Sequence, residues 1–162
     1  MAQRKFKNEL VSKPFNFIEK NSKVTLNLAK LEVGDRNFMD IRDHVLIEDS
    51  HKPSKKGIAI EFKHVPDVLS AIQKIKDENI STSEDYLAVL KIDKGSTKKL
   101  YVGLTNFQDK LLVDIREYYR KGEDESSYEW CPSPKGNQFA KELLGDVINL
   151  IQEFCDEYSI EY

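Results

Sequence analysis

The spacing of apolar residues in the second half of the chain changes from that of strands to that of a helix. Three segments, YLAVLKI (86–92), KLYVGL (99–104) and LLVDIREYY (111–119), are rich in β-branched and aromatic residues, which is typical of strands. A further short strand is predicted after Gly136, and a helix from about Lys141. The helix prediction rests on a broad apolar stripe formed by Leu143, Leu144, Val147, Ile148, Leu150, Ile151, Phe154 and Cys155.

The first half of the chain shows the same order of segments. FNFI, KVTLNLAKLEV, NFMDIRDHVLI and GIAIEF predict four strands, and Pro66 suits the first turn of the helix that follows. The apolar stripe of that helix consists of Val65, Val68, Leu69, Ile72 and Ile75. Because the polar connection ENISTSED (78–85) is short, we predict two β-β-β-β-α units, at 14–79 and 84–158, in one compact body.

A repeated motif supports a duplication. PSKKG (53–57) recurs as PSPKG (132–136), and the helices that follow share Asp, Val, Ile and Gln at matching places. Upstream, the tripeptide DIR occurs at 40–42 and again at 114–116, and an insertion around GEDES accounts for the longer distance between the glycine motifs. The predicted fold class is therefore α+β, with two tandem β-β-β-β-α units that form a pseudo-symmetric intramolecular dimer of antiparallel sheets and C-terminal helices.

The charge of the chain is unevenly distributed. The 162 residues carry a formal net charge of −3, with 25 basic and 28 acidic side chains. Six of the acidic residues, and no Lys or Arg, fall between Glu142 and Tyr162, which leaves 25 basic and 22 acidic residues elsewhere. Segregation of this kind allows a positive groove in a protein whose total charge is negative.

Several features indicate an intracellular protein. No apolar run approaches the roughly 18 residues that a membrane-spanning helix needs, and the N-terminal stretch MAQRKFKNELVSK has no apolar core of a signal peptide. Two cysteines, Cys131 and Cys155, are too few for a disulfide framework. The expected location is the cytoplasm or nucleoid for a bacterial or phage protein and the nucleus for a eukaryotic one.

Basic side chains recur at matching places in both units. Arg42 and Arg116 each follow an aspartate by two residues, so that Asp and Arg share the polar face of the third strand. This pair is either a surface salt bridge worth about 0–1 kcal/mol or a device that orients an arginine toward a ligand. The glycine motifs add a loop in which glycine allows close approach to a ligand and lysines supply positive charge. These lysines are Lys52, Lys55 and Lys56 in unit one and Lys135 in unit two.

Aromatic residues accompany the basic ones in unit two: Phe107, Tyr118, Tyr119 and Trp130. Each could also be an ordinary packing residue. Stacking surfaces beside cationic side chains are what single-stranded nucleic acid requires, because unpaired bases offer flat faces and the backbone offers charge. Unit one has His44 and His51 where unit two has Tyr118 and Trp130, so we expect charge to dominate in unit one and stacking in unit two.

These segments resemble the positive cofactor 4 family of transcription coactivators. The resemblance is carried by KLYVGLTNFQDKLLVDIREYY and EWCPSPKG over residues 98–151, and more weakly by DIRDHVLIEDSHKPSKKGIAIEF within 33–73. It implies a dimer-forming unit of four antiparallel strands and a helix that grips single-stranded DNA. Most members carry one unit, so fusion of two implies an internal pseudo-dimer. The implied binding residues are Lys98, Phe107, Lys110, Arg116, Tyr119 and Lys135 in unit two and Arg42, Lys55 and Lys56 in unit one.

The sequence thus predicts a non-enzymatic protein that binds single-stranded nucleic acid with little sequence preference. DNA is the first candidate and RNA the alternative, with a role in transcription, replication or recombination, no cofactor and no metal. The protein is expected to be a monomer with an internal pseudo-dimer or a homodimer.

Two other functions remain as alternatives. A protein–protein adaptor would use the acidic C-terminal helix. A metal-dependent nuclease would use Glu61 and Lys63 with Asp40 or Asp43, a combination that arises easily in a chain with 33% charged residues. The spacing of His44, His51 and His64 fits no standard zinc pattern.

Overall fold

A computed structural model describes residues 9–162, and most of the N-terminal stretch considered above as a targeting signal lies outside them. Unit one contains strands β1 (Leu10–Glu19), β2 (Val24–Val33), β3 (Arg36–Ile47) and β4 (Ser50–Glu61) and helix α1 (Val65–Asp77). Unit two contains β5 (Tyr86–Asp93), β6 (Lys98–Phe107), β7 (Lys110–Lys121) and β8 (Glu129–Ala140) and helix α2 (Leu144–Glu157). A short 3-10 turn precedes each helix.

Each unit forms an antiparallel sheet whose strands follow chain order, β1-β2-β3-β4 and β5-β6-β7-β8. Alternation along the strands turns one face of each sheet inward. For example, Met39 and Ile41 of β3 are fully buried, as are Val113 and Ile115 of β7. The predicted fold class, two tandem β4α units in an α+β arrangement, is confirmed.

Each helix contacts the sheet of the other unit. Helix α1 contacts β5 and β6 of unit two, and helix α2 contacts β1 and β2 of unit one. Phe154 of α2 illustrates the exchange, since its ring meets Phe15 of β1 edge-on at 5.3 Å and Phe62 at 5.8 Å. Buried residues from both sheets and both helices therefore form one continuous core, which joins the halves as a pseudo-symmetric intramolecular dimer.

The Pro-Ser-x-Lys-Gly motifs lie inside the fourth strands, which corrects the prediction of a loop. Arg42 pairs with Gly57 and His44 pairs with Pro53, so residues 54–56 all lie opposite Asp43. Unit two has the same irregularity between Arg116 and Tyr118. The motif is thus a β-bulge, and the strand that carries it begins well before the glycine, at Ser50 in unit one and Glu129 in unit two.

Within residues 9–162, no helix is long and apolar enough to cross a membrane. The limits of the units at 14–79 and 84–158 stay a prediction.

Candidate nucleic-acid interface

The Asp-x-Arg pairs hold the bulges in place. Arg42 donates to both carboxylate oxygens of Asp40, at 3.0 and 3.1 Å, and to the backbone oxygen of Ser54 at 2.9 Å. Arg116 repeats this pattern with Asp114, at 3.1 Å between Nη2 and Oδ1, and with the Ser133 oxygen at 2.9 Å. The aspartates are nearly buried, at 6% and 3% exposure. Each buried aspartate therefore orients an arginine of its own strand, and that arginine connects the third strand to the fourth through the serine backbone oxygen.

Burial raises the pKa of Asp114 above its ordinary value, and the hydrogen bonds and positive charge of Arg116 oppose that rise. Arg116 therefore favours the ionised form of the Asp114 carboxylate, and that carboxylate in turn holds the guanidinium in place. With three interactions already made by each arginine, Arg42 and Arg116 act first as positioning residues for the bulges.

The serine and glycine of each motif complete the bulge. The Ser54 hydroxyl donates a hydrogen bond to the Asp43 backbone oxygen at 2.8 Å and accepts one from the Lys56 backbone N–H at 3.1 Å. In unit two, the Ser133 hydroxyl accepts a hydrogen bond from the Lys135 backbone N–H at 3.0 Å. The glycine is needed because the arginine lies across it. A Cβ atom on Gly136 would be 2.6 Å from the Arg116 Cζ. The repeated motif thus encodes a structure that holds its lysine in a fixed place.

We expect Gly136→Ala to lower the free energy of unfolding by about 2 kcal/mol, because the new methyl group displaces the Arg116 guanidinium from its partners. Chemical denaturation measures the change. Gly145→Ala is the matched control, since a Cβ there meets only the Lys76 Cε at 3.8 Å. An equal effect of both substitutions would contradict this account of the glycine.

Two lysines that the sequence analysis missed support the same strands. Lys20 pairs with Asp43 at 3.0 Å in unit one, and Lys94 pairs with Glu117 at 2.9 Å in unit two. Both acidic residues lie at the bulge and are largely buried. Lys94 follows Lys20, and Glu117 follows Asp43, by the same 74 residues that separate the two DIR tripeptides. Extending the repeat alignment upstream would have found them.

Glu117 should make stability depend on pH. Burial raises its pKa, but the Lys94 hydrogen bond and nearby positive charges outweigh this, so that the pKa is lowered overall from 4.5. The resulting stabilisation is present above the unfolded-state pKa and is lost as the pH falls through the folded-state pKa. We expect Glu117→Gln to cost about 2 kcal/mol at pH 7, and the difference from the unchanged protein to shrink below pH 4. Urea unfolding across this pH range tests the claim, and a constant difference would refute it.

Lysines from both units meet in a cleft of about 520 Å³ between them, which we call the inter-unit cleft. Its walls include Lys20, Lys56, Lys110 and Arg116 along with Asp43. Lys56 of unit one thus lies across the cleft from Lys110 and Arg116 of unit two. Its neighbour Lys55 lines the outer face of the unit-one sheet instead, beside Arg42. The bulge therefore directs two consecutive lysines to two different surfaces.

The other predicted lysines are exposed and do not line this cleft. Lys52 is opposite Val45 in the β3–β4 hairpin, and Lys98 is opposite Tyr119 near the far end of β7. Lys135 occupies in unit two the place that Lys56 has in unit one, and it is exposed as well.

The predicted aromatic residues divide into two groups. Phe107 is 61% exposed at the β6–β7 turn, opposite Lys110, and Tyr119 is 41% exposed. By contrast, Tyr118 is already stacked on Tyr101, with ring centroids 4.0 Å apart, and Trp130 lies under the Lys99 ammonium at 4.4 Å. Phe107 and Tyr119 therefore offer free faces, whereas Tyr118 and Trp130 have partners within the protein. Tyr101 was missed by the sequence analysis, although its place on the same strand face as Lys99 follows from alternation along β6.

The structure shows the contacts and exposure of the residues considered for the nuclease and adaptor functions. Glu61 is paired with Arg36 and with Lys63. In the part of the chain that the structure describes, no three His, Cys, Asp or Glu side chains form a group that could hold a metal ion. The acidic residues of α2, which include Asp146, Glu153 and Asp156, are exposed along that helix.

Comparison with known proteins finds a similarity that lies within unit two. Residues 94–148 match the family described as transcriptional coactivator p15 (PC4). The solved structures that match include a PC4 homolog from Burkholderia pseudomallei, which is 20% identical, covers 43% of this chain and 88% of its own, and has a TM-score of 0.34. No curated protein matches the chain. The predicted resemblance to the positive cofactor 4 family is confirmed by the family match over these residues.

Proposed function

We propose that this chain, whose second unit is similar to the transcriptional coactivator p15 (PC4) family over residues 94–148, binds single-stranded nucleic acid without catalysing a reaction. DNA is the preferred ligand and RNA the alternative. The observation that carries the proposal is the combination of exposed lysines with exposed aromatic rings on unit two, where Phe107 lies opposite Lys110 and Tyr119 opposite Lys98. Exposed rings beside cationic groups suit a ligand that has both flat bases and a charged backbone.

The arrangement supports a division of tasks along the strand. Lys56 and Lys110 bind phosphates in the inter-unit cleft, and Phe107 and Tyr119 stack on bases at the two ends of β7. Residues 110 and 119 are separated by roughly 30 Å along the strand and face opposite sides of the sheet, so the two rings make separate base contacts. Arg42 and Arg116 contribute mainly by fixing the bulges that carry the lysines. Because no step reads a base edge in this scheme, little sequence preference is expected.

Fluorescence polarisation with labelled single-stranded DNA, duplex DNA and RNA over a series of salt concentrations tests this function. We expect single-stranded DNA to bind more tightly than duplex DNA, and the logarithm of the association constant to fall linearly with the logarithm of the salt concentration. Equal and negligible binding of all three would overturn the proposal. It would favour the adaptor function, for which the exposed carboxylates of α2 are the natural surface.

The biological setting follows as part of the same proposal. A sequence-tolerant single-strand binder of this kind would act inside the cell, where transcription, replication or recombination exposes single strands. The internal pseudo-dimer allows one chain to present both units without a second copy.

A further inference from the structure

The outer faces of the two sheets differ at three equivalent positions. Unit two has Tyr86, Tyr101 and Tyr118 there, whereas unit one, 74 residues earlier, has the smaller Ser12, Asn27 and His44. The equivalence is structural as well, because β1 and β5 have a bulge at the same place and β3 and β7 share theirs. Three aromatic rings in one unit thus correspond to three smaller polar side chains in the other.

In unit two the rings cover the sheet. Tyr101 and Tyr118 are stacked with an interplanar angle of 18°, and Tyr86 lies 6.1 Å from Tyr118. The Tyr86 ring lies over Gly103, where a Cβ atom would be 2.6 Å from its hydroxyl oxygen. These rings fill the space over β6, and the cleft of about 490 Å³ that remains on this face lies beside Tyr86, Tyr118 and Arg116.

In unit one the equivalent part of the face, over β2, is open. A cleft of about 550 Å³, here called the unit-one cleft, is lined by apolar Leu10, Pro14, Leu31 and Pro53 and by polar Asn27 and His44. Arg42 and Lys55 also lie on its wall. The apolar groups and the planar imidazole suit an aromatic ring, and the exposed Lys55 ammonium suits an anionic group attached to that ring.

We propose that the unit-one cleft receives one base of a bound single strand, in the space that tyrosine rings fill in unit two. This inference rests on the proposed function and adds a base-binding site on unit one, where the exposed rings of unit two have no counterpart. The Lys55 side chain binds the adjacent phosphate. The asymmetry of the duplicated chain is then functional, because one unit contributes its own rings and the other accepts a ring from the ligand.

The polar groups of the cleft can also contact the edge of a base. Asn27 accepts a hydrogen bond from Thr25 Oγ1 at its Oδ1, at 2.6 Å, which fixes the amide and directs its Nδ2 donors toward a ligand. Burial lowers the pKa of His44, so the imidazole is neutral at pH 7 and presents a flat uncharged face. Every base has a hydrogen-bond acceptor on its edge, so this amide donor adds affinity for thymine and for the other bases alike without selecting one of them.

A variant that fills the cleft tests this site. Asn27→Tyr combined with His44→Tyr introduces the residues that unit two has at the same places. We expect this variant to bind a 12-nucleotide thymine oligomer about tenfold more weakly, the effect of losing one stacked base, while an abasic oligomer of equal length binds both proteins equally. Ser70→Tyr combined with Asn149→Tyr, two exposed helical positions, is the matched control and should leave both affinities unchanged.

Photo-crosslinking of the unchanged protein to an oligomer that contains 4-thiothymidine gives a second measurement that needs no variant. Cross-links to the strand segments around Asn27 and His44 are expected. If the oligomer binds but cross-links only unit two, or if the filled variant binds thymine and abasic oligomers as the unchanged protein does, the cleft proposal is wrong and the proposed function still stands. If no oligomer binds at all, both fail.

Discussion

Replacing Lys56 and Lys110 together with alanine is expected to weaken binding of a thymine oligomer roughly 20-fold at 0.1 M salt. Both lysines are exposed and line the inter-unit cleft, one from each unit. For single strands, each phosphate contact contributes a slope of about −0.7 in the plot of log K against log salt. Loss of two contacts should therefore make the slope less steep by about 1.4, and this change predicts the 20-fold effect at 0.1 M.

The salt dependence provides a second check of this prediction. The difference between the double variant and the unchanged protein should disappear as the salt concentration approaches 1 M. Lys74→Ala combined with Lys76→Ala removes the same charge from exposed positions on α1, away from the cleft, and should change the affinity much less. If the two double variants behave alike, the effect is one of net charge, and the inter-unit cleft does not bind phosphate.

The sequence was sufficient to predict the order of the elements and the duplication. The strand and helix periodicities were clear. Arg42 and Gly57 of unit one also recur in unit two, as Arg116 and Gly136. The bulge was not predicted because its register depends on contacts between strands. Arg42 reaches across to the Ser54 backbone oxygen, and the pairing of the two strands on either side of it leaves three residues of β4 opposite one of β3. A motif rich in Pro, Ser and Gly otherwise resembles a turn.

The sequence was sufficient to predict which residues belong to the candidate site, but not how their side chains are arranged. The lysines and aromatic residues were identified, but whether a ring is free depends on neighbours from other strands. Tyr118 and Phe107 look alike in the sequence, yet one is stacked on Tyr101 and the other is 61% exposed. The contact of each helix with the sheet of the other unit was also beyond sequence reasoning, because an apolar stripe indicates burial without indicating which sheet buries it.

The halves also differ in a buried polar network at their boundary. Asn137, fully buried in β8, donates to Asp43 at 2.9 Å and to the Lys56 oxygen at 3.1 Å. Lys20 donates to Asp43 at 3.0 Å and to the Gln138 oxygen at 2.6 Å. Unit one has Ile58 at the position equivalent to Asn137. The network therefore links the two units and holds the backbone that carries Lys56.

We expect Asp43→Ala to lower the free energy of unfolding by about 3 kcal/mol, since it leaves the Lys20 ammonium and the Asn137 amide without their shared acceptor in a largely buried place. Urea denaturation measures this loss, and Asp49→Ala, at an exposed turn, is the control with the same change of charge. A cost no greater than that of the control would show that the network does not stabilise the fold.

A triple variant separates stability from positioning. Replacing Lys20 with Met, Asp43 with Leu and Asn137 with Ile removes every charged or amide group of the network at once and should recover most of the lost stability, because a well-packed apolar cluster often equals a buried ion pair. The Lys56 oxygen would nevertheless lose its Asn137 donor. We therefore expect the triple variant to unfold like the unchanged protein but to bind the thymine oligomer more weakly than the Lys20→Met, Asp43→Leu double variant, which removes the same two charges from the cleft and keeps Asn137. Equal binding by the double and triple variants would mean that the bulge alone, held by Arg42 and Ser54, determines where Lys56 lies.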